Sequence, residues 1–268
     1  MNSIIPVKHH KTLYLTVLVL LFGFFTILSK MAFAQESRHM NQTEKRLTDT
    51  TKTLSIRQQA IIPVAAFAAA GDIPGLNRAL NQGLDAGLTI SDIREILVQL
   101  YAYAGFPRSL NALDELMKVL DTRKQRGIKD EVGRSPRNSI PKGDALMAAG
   151  TANQTRLAGA PVRGPLFDFA PAIDEYLKTH LFGAIFERDN LSWQNRELAT
   201  VAMLSSLPGT EAQLQAHMHI SMNVGLTENQ LCQLTHVLKE QVDDDMALRA
   251  TRALEHQLKA AIPDNKTS

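Results

Sequence analysis

Three polar residues in the second half of the chain have the types and spacing of an acid–base site: Arg196, Glu197 and His217. A histidine side chain exchanges protons near neutral pH, so His217 could deliver a proton to a substrate. The planar guanidinium of Arg196 could bind a carboxylate and stabilise developing negative charge, and Glu197 could orient the imidazole. A simpler interpretation is that Arg196 and Glu197 form a surface pair and that His217 is a satisfied core histidine.

Trp193 is a candidate for substrate binding because it lies beside Arg196. It could line an apolar pocket, or it could instead anchor the packing of its helix. We predict no metal site, because His217 and His219 are two positions apart and point in directions about 200° apart on a helix. The acid–base chemistry of these residues requires no cofactor.

Helical periodicity predicts the elements that position these residues. Apolar residues recur every three or four positions over 56–70, 73–86, 91–103, 109–126 and 167–186, which is typical of amphipathic helices. Thr227 and Gln230 have the form of a capping box, and a last helix is expected over 244–262, with the acidic run at 243–245 at its N-terminus. By contrast, residues 127–164 are rich in Gly, Pro and basic residues and predict an irregular linker. We expect its basic residues to be solvated, although an anion-binding patch is the alternative.

The chain also repeats itself at a distance of about 137 positions. Residues 54–65 match 191–202, and the Gly-Leu-Thr at 87–89 matches the one at 225–227. Such self-similarity indicates a duplicated helical unit, with chance resemblance between amphipathic helices as the alternative. We therefore predict an all-α fold of two tandem repeats, 54–126 and 165–262. The first repeat is degenerate, since Gln59, Ala60 and Ala79 stand in the positions of Arg196, Glu197 and His217.

The first 34 residues have the form of a secretory signal peptide. A basic start precedes an apolar run at 13–28, and Ala32-Phe33-Ala34 forms a small-x-small cleavage site, which predicts a periplasmic or secreted protein with no membrane contact after cleavage. An uncleaved anchor is the alternative. A polar segment, 35–53, would follow. Removal of the three lysines of the signal would change the formal charge from +2 to −1, and such a charge predicts no nucleic-acid partner.

Cys232 is the single cysteine of the chain, so neither an internal disulfide nor a two-cysteine redox cycle is possible. It flanks the apolar stripe formed by Leu231, Leu234 and Leu238. We therefore expect a small, half-buried hydrophobic residue rather than a nucleophile.

Several short motifs, in order and at matching distances, resemble the carboxymuconolactone decarboxylase family over 54–116 and 169–258. The motifs of the second repeat are Phe182-Gly183, Arg188, Leu191, Arg196-Glu197, Gly209, His217 and Gly225-Leu226-Thr227. In the first repeat, the run from Tyr103 to Arg108 resembles the turn that follows these motifs. The resemblance implies packed helical hairpins, a homo-oligomer, and sites near subunit or repeat interfaces.

The resemblance also implies a function. The peroxidase branch of the family has a Cys-x-x-Cys pair, but this chain has Thr210 and Gln213 at those positions, which excludes that thiol chemistry. The expected activity is therefore that of a cofactor-free lyase, acting on a small anionic lactone or organic acid through His217, Glu197 and Arg196. Arg188 and Gln213 join Trp193 as expected substrate-binding residues. The alternative is a non-catalytic binding or assembly protein of the cell envelope, because export argues against an intracellular catabolic pathway.

Overall fold

The computed structural model describes residues 52–260. Within this range every regular element is a helix, which confirms the predicted all-α class. The first segment contains α1 (Ile56–Ala70), α2 (Ile73–Asp85), α3 (Ile90–Gln99) and α4 (Tyr101–Gln125). The second contains α5 (Asp144–Ala158), α6 (Pro165–Phe169), α7 (Pro171–Tyr176), a π-helix (Leu177–Ile185), α8 (Trp193–Ser205), α9 (Glu211–Asn223), α10 (Glu228–Gln241) and α11 (Asp244–Ala260). The expected signal peptide and residues 35–51 lie outside the described range.

Local hydrogen bonds explain where the main helices begin. Ser55, Thr89 and Thr227 each cap a helix and close a capping box with the residue three positions later. The capping box expected at Thr227 is therefore confirmed. Before Thr89 and Thr227 the chain turns at Gly87 and Gly225, with φ of 90° and 97°. Glycine suits both turns because a Cβ is disfavoured at such positive φ values.

The main core is built around α1 and α8, which pack directly against each other. Both helices are rich in small and branched apolar residues, and Ile61, Ile62, Leu198 and Val201 are completely buried. The helices α2, α4, α9 and α11 pack around this pair, so residues from both segments share one continuous apolar core. Burial of this shared surface is the main force that holds the two segments together.

The prediction of an irregular linker is wrong for residues 144–158, because these residues form α5. Gly and Pro lie near its ends, and the alanine-rich stretch between Gly143 and Gly159 is a good helix former. α5 packs against the π-helix, and its Leu157 joins Phe182 and Ile220 in a second apolar cluster. The rest of the linker, 127–143 and 159–164, has no helix. Its Arg134 pairs with Asp189.

Three other predicted helices have different boundaries in the structure. The expected helix over 167–186 is interrupted before Pro171, which separates α6 from α7, and α7 continues directly into the π-helix. The expected helices at 91–103 and 109–126 become α3 and α4, and α4 bends at Gly105, where φ is 80° and ψ is 164°. No helix within 52–260 combines the length and apolar character that a membrane crossing requires.

Candidate active site

The centre of the candidate site is a hydrogen-bonded pair formed by His217 of α9 and Glu197 of α8. The imidazole Nδ1 lies 2.8 Å from Glu197 Oε2. Glu197 is completely buried and His217 is 7% exposed, so the pair is largely shielded from water. Within 52–260 no hydrogen bond is formed by His217 Nε2 or by the second carboxylate oxygen, Glu197 Oε1. The structure thus leaves one imidazole nitrogen available for a proton transfer.

Local structure explains why these two side chains meet. The helices α8 and α9 follow one another through a short turn containing Gly209, whose φ is 87°, and they pack side by side. On α8 the residues around Glu197 are buried throughout, from Arg196 to Ser205. A carboxylate in such surroundings needs a polar partner, because its burial without one is costly. His217 provides that partner.

A residue of the first segment completes the surroundings of the imidazole. The ring of Tyr103 lies edge-on to His217, with ring centroids 5.6 Å apart and an interplanar angle of 80°. Its hydroxyl lies 3.2 Å from Thr200 Oγ1. Burial, and after it the negative charge of Glu197, raises the Tyr103 pKa well above its ordinary value. Tyr103 therefore remains a neutral phenol at physiological pH.

Arg196 is also completely buried, but its hydrogen bonds are to other groups. Its guanidinium donates to Glu95 Oε2 at 3.2 Å, Gln99 Oε1 at 3.2 Å and the carbonyl of Arg188 at 2.9 Å. Burial lowers the pKa of Arg196, although the charge of Glu95 opposes this shift. The guanidinium is thus engaged by α3 rather than by the His217–Glu197 pair.

Arg188 is 29% exposed in its side chain and forms a bidentate pair with Glu95. Arg188 Nε and one terminal nitrogen lie 2.7 and 2.6 Å from the two carboxylate oxygens. Burial of Glu95 alone would raise its pKa, but hydrogen bonds from Arg188 and Asn190, with the charges of Arg196 and Arg188, outweigh burial and lower it. Glu95 therefore binds both arginines that the sequence suggested for the site, and its single negative charge offsets one of their two positive charges.

The two remaining predicted residues have different surroundings. Trp193 donates its indole N–H to the carbonyl of Phe186 at 3.1 Å, and it also lines a cleft of about 310 Å³ beside Arg156. It therefore anchors the packing of its helix, and the cleft that it lines is mainly polar rather than apolar. Gln213 is exposed and lies one helical turn before His217, on the same face of α9. It is thus placed at the solvent side of the pair.

Sequence reasoning missed the contributions of Tyr103, Glu95 and Gln99 to this region. Glu95 and Gln99 do carry a signal, because they are polar residues four positions apart within the apolar stripe of α3. Polar residues in a buried stripe require partners from another element. Across residues 52–260, no group of three His, Cys, Asp or Glu residues is arranged to hold a metal ion.

Comparison with known proteins gives two further observations. The chain is similar to the uncharacterised protein MJ1511 of Methanocaldococcus jannaschii, with 28% identity over 68 residues. That alignment covers 25% of this chain and 64% of MJ1511. Residues 171–256, which contain all six residues that the sequence suggested for the site, match the model of the carboxymuconolactone decarboxylase family.

Proposed function

We propose that the protein is a cofactor-free, decarboxylase-like lyase that acts on a small anionic lactone or organic acid. The observation that carries this proposal is the buried pair of His217 and Glu197, with an imidazole nitrogen that has no partner in the described structure. The match of residues 171–256 to the carboxymuconolactone decarboxylase family supports it. The proposed site lies where α8 and α9 meet the beginning of α4.

In the proposed reaction, the bond between a substrate carbon and its carboxylate breaks, and CO2 leaves. The electron pair stays on that carbon and is delocalised into an adjacent carbonyl group. The imidazolium of His217 then donates the proton of Nε2 to the carbon, and water later restores that proton. Glu197 holds Nδ1 throughout, which fixes the orientation of the ring. General acid catalysis of this kind contributes on the order of 10²–10⁴ in rate.

The arginines receive positioning roles in this proposal. Arg196 and Arg188 both bind Glu95, so neither is a free cation next to the pair. Through Glu95 they connect α3 to α8, and this connection supports the backbone that carries Glu197. Trp193 and Gln213 remain the proposed substrate-contacting residues, Trp193 in its cleft and Gln213 at the exposed side of His217.

We also propose that the two segments arose by tandem duplication. The helices α1, α2 and α3 correspond in order to α8, α9 and α10. Two of the three pairs also share the type of cap residue, since Ser55 matches Ser192 and Thr89 matches Thr227. In this interpretation the first unit lost its acid–base pair. It then kept a structural role through its shared core with the second unit.

Export and self-association complete the proposal. The signal-like residues 1–34 support a periplasmic or secreted location, and cleavage after Ala34 can be tested by N-terminal sequencing of the exported protein. Large apolar side chains at Phe106, Phe169 and Tyr176 are exposed, and exposed apolar surface of this kind favours a homo-oligomer. We expect no nucleic-acid partner and no membrane contact after cleavage. Sedimentation of the mature chain tests the subunit number.

The alternative is a binding protein without catalysis, and the low exposure of His217 favours it. A screen of small lactones and organic acids, scored by thermal shift and by product formation, separates the two functions. The proposed lyase converts a ligand, and its turnover falls at least about 100-fold in His217→Gln, which has no group that exchanges protons near neutral pH. The amide of the glutamine can still donate a hydrogen bond to Glu197, so the variant should keep the helical circular dichroism signal of the original protein.

His219→Gln is the matched control, because His219 lies on the same helix but is exposed and contacts Gln257. It is expected to retain full turnover. Ligands that bind without conversion, or equal turnover in His217→Gln and the original protein, would exclude the acid–base role.

A thiol peroxidase activity is not expected, because Cys232 is a poor nucleophile. Burial, and after it the charge of Glu228, raises its pKa, so the thiolate is scarce near neutral pH. Peroxide consumption with a thiol reductant should equal the background, and Cys232→Ser should behave identically. Peroxidase activity that disappears in Cys232→Ser would contradict this assignment.

A further inference from the structure

An open cleft of about 470 Å³ lies between α1 and α2 of the first segment and the end of α10 of the second. Its floor contains the buried or half-buried apolar residues Ala60, Pro63, Phe67, Ala79 and Gly83, together with the half-buried Gln59. The exposed polar residues at its border are Arg78, Gln82, Glu240 and Gln241. A cleft of this size, with an apolar floor and a polar border, can hold a small amphipathic molecule.

The position of the cleft has a specific explanation. Ala60 and Ala79 match Glu197 and His217 in the internal repeat of the sequence, and both alanines line this cleft. In the second segment the corresponding side chains fill the space between α8 and α9 with a 2.8 Å hydrogen bond. In the first segment two methyl groups replace them. The cleft thus lies where the first unit lacks an acid–base pair.

The polar border favours an anion. Arg78, Gln82 and Gln241 can donate hydrogen bonds to a ligand, whereas Glu240 accepts only. The amide of Gln59 already donates to the carbonyl of Leu54. Arg78 is exposed and forms no ion pair with any residue in 52–260. Gln82 lies four positions after Arg78 on α2, so the two side chains are neighbours on the helix surface. A guanidinium beside an amide is well suited to a carboxylate.

We propose that this cleft is a second, non-catalytic binding site for a small organic acid with an apolar body. The carboxylate binds Arg78 and Gln82, and the apolar body packs against Phe67, Ala60 and Ala79. The bound acid is not converted, because neither alanine can exchange a proton. The proposal rests on this cleft alone and is independent of catalysis at His217.

Calorimetric titration of the full chain with 4-phenylbutyrate and with its neutral analogue 4-phenylbutanol tests the site. The acid is expected to bind about tenfold more tightly than the alcohol, as one charge-assisted pair would provide. Arg78→Gln should abolish this preference. Because Arg78 is exposed, the variant should fold normally, and circular dichroism checks this.

Three variants locate the effect. Arg94→Gln removes another exposed arginine that does not line the cleft and should keep the preference. Arg156→Gln, in the cleft beside Trp193, and His217→Gln should keep it too. Absence of acid binding, equal binding of acid and alcohol, or an unchanged preference in Arg78→Gln would overturn the proposal. Loss of the preference in Arg156→Gln or His217→Gln instead would also overturn it, because binding would then belong to the second segment.

Discussion

Tyr103 and His217 belong to different segments of the chain, yet their rings meet edge to face with centroids 5.6 Å apart. The contact means that the first segment contributes directly to the surroundings of the proposed acid–base pair. Edge-to-face contacts restrict how a ring can turn. The first segment is therefore more than a support for the second, even though its own acid–base positions are alanines.

The raised pKa of Tyr103 predicts a specific loss of stability at high pH. The unfolded chain releases the tyrosine proton near pH 10, whereas the folded protein retains it, so the free energy of unfolding decreases as the pH rises above 10. The decrease reaches about 1.4 kcal/mol at pH 11 for one such group. Urea unfolding at pH 8 and pH 11 measures it. Tyr103→Phe, which keeps the ring, should lose less stability over this interval than the original protein.

Tyr176→Phe serves as the control for this measurement, since Tyr176 is 55% exposed. It should show the same pH dependence as the original protein. Equal pH dependence in Tyr103→Phe and Tyr176→Phe would mean that Tyr103 ionises as freely in the folded protein as in the unfolded chain.

A second prediction concerns Glu95, which binds Arg188 and Arg196 at once. Glu95→Gln leaves the completely buried Arg196 without an anionic partner, and removal of one partner from a buried ion pair costs about 3–5 kcal/mol. Asp114→Asn, which removes a partner of Lys118 at the surface, should cost less than about 1 kcal/mol. Urea unfolding of the two variants at pH 7 makes the comparison.

The lowered pKa of Glu95 adds a pH dependence to this prediction. The contribution of Glu95 to the free energy of unfolding is fully present above the ordinary carboxyl pKa and is lost as the pH falls through the lowered value. The original protein should therefore lose stability below about pH 4.5 more steeply than Glu95→Gln. Parallel curves for the two proteins would show that Glu95 is not held ionised by its arginines.

A helix was predictable where the sequence features that specify it lie within the helix or next to it. The predicted bounds 56–70 match those of α1 because the apolar periodicity that predicts them lies within the helix itself. The prediction failed for α5 because Gly and Pro outweighed an alanine-rich stretch that packs against a distant element, the π-helix. Boundaries that depend on distant packing cannot be obtained from local pattern.

The candidate site was predictable to a similar extent. His217 and Glu197 were identified from their types and spacing, and the structure brings them together. Arg196 is adjacent to Glu197, but consecutive helical residues point about 100° apart, so the two side chains contact different helices. Which helix each side chain would contact depends on the packing of α3, α8 and α9. Tyr103 was not identified as a site residue because its contact with His217 joins distant parts of the chain.

A third prediction tests whether α5 is an integral part of the second segment. A Cβ added to Gly150 would lie 1.7 Å from the carbonyl oxygen of Lys178 in the π-helix. Backbone atoms cannot move aside as a flexible side chain can, so Gly150→Ala must separate α5 from the π-helix. Overpacking of this kind costs about 1–3 kcal/mol or more. Ala152→Ser, at an exposed position of the same helix, should change the free energy of unfolding by less than about 0.5 kcal/mol.

Urea unfolding, followed by circular dichroism, distinguishes an integral helix from an appended one. If α5 is integral, Gly150→Ala lowers the midpoint of the whole transition, because Leu157 of α5 packs in the same cluster as Ile220 of α9. The fluorescence of Trp193, the single tryptophan of the chain, should follow the same shifted transition, since Trp193 packs against that cluster. A small early change in helical signal, with the Trp193 transition unmoved, would mean that α5 unfolds independently of α8 and α9.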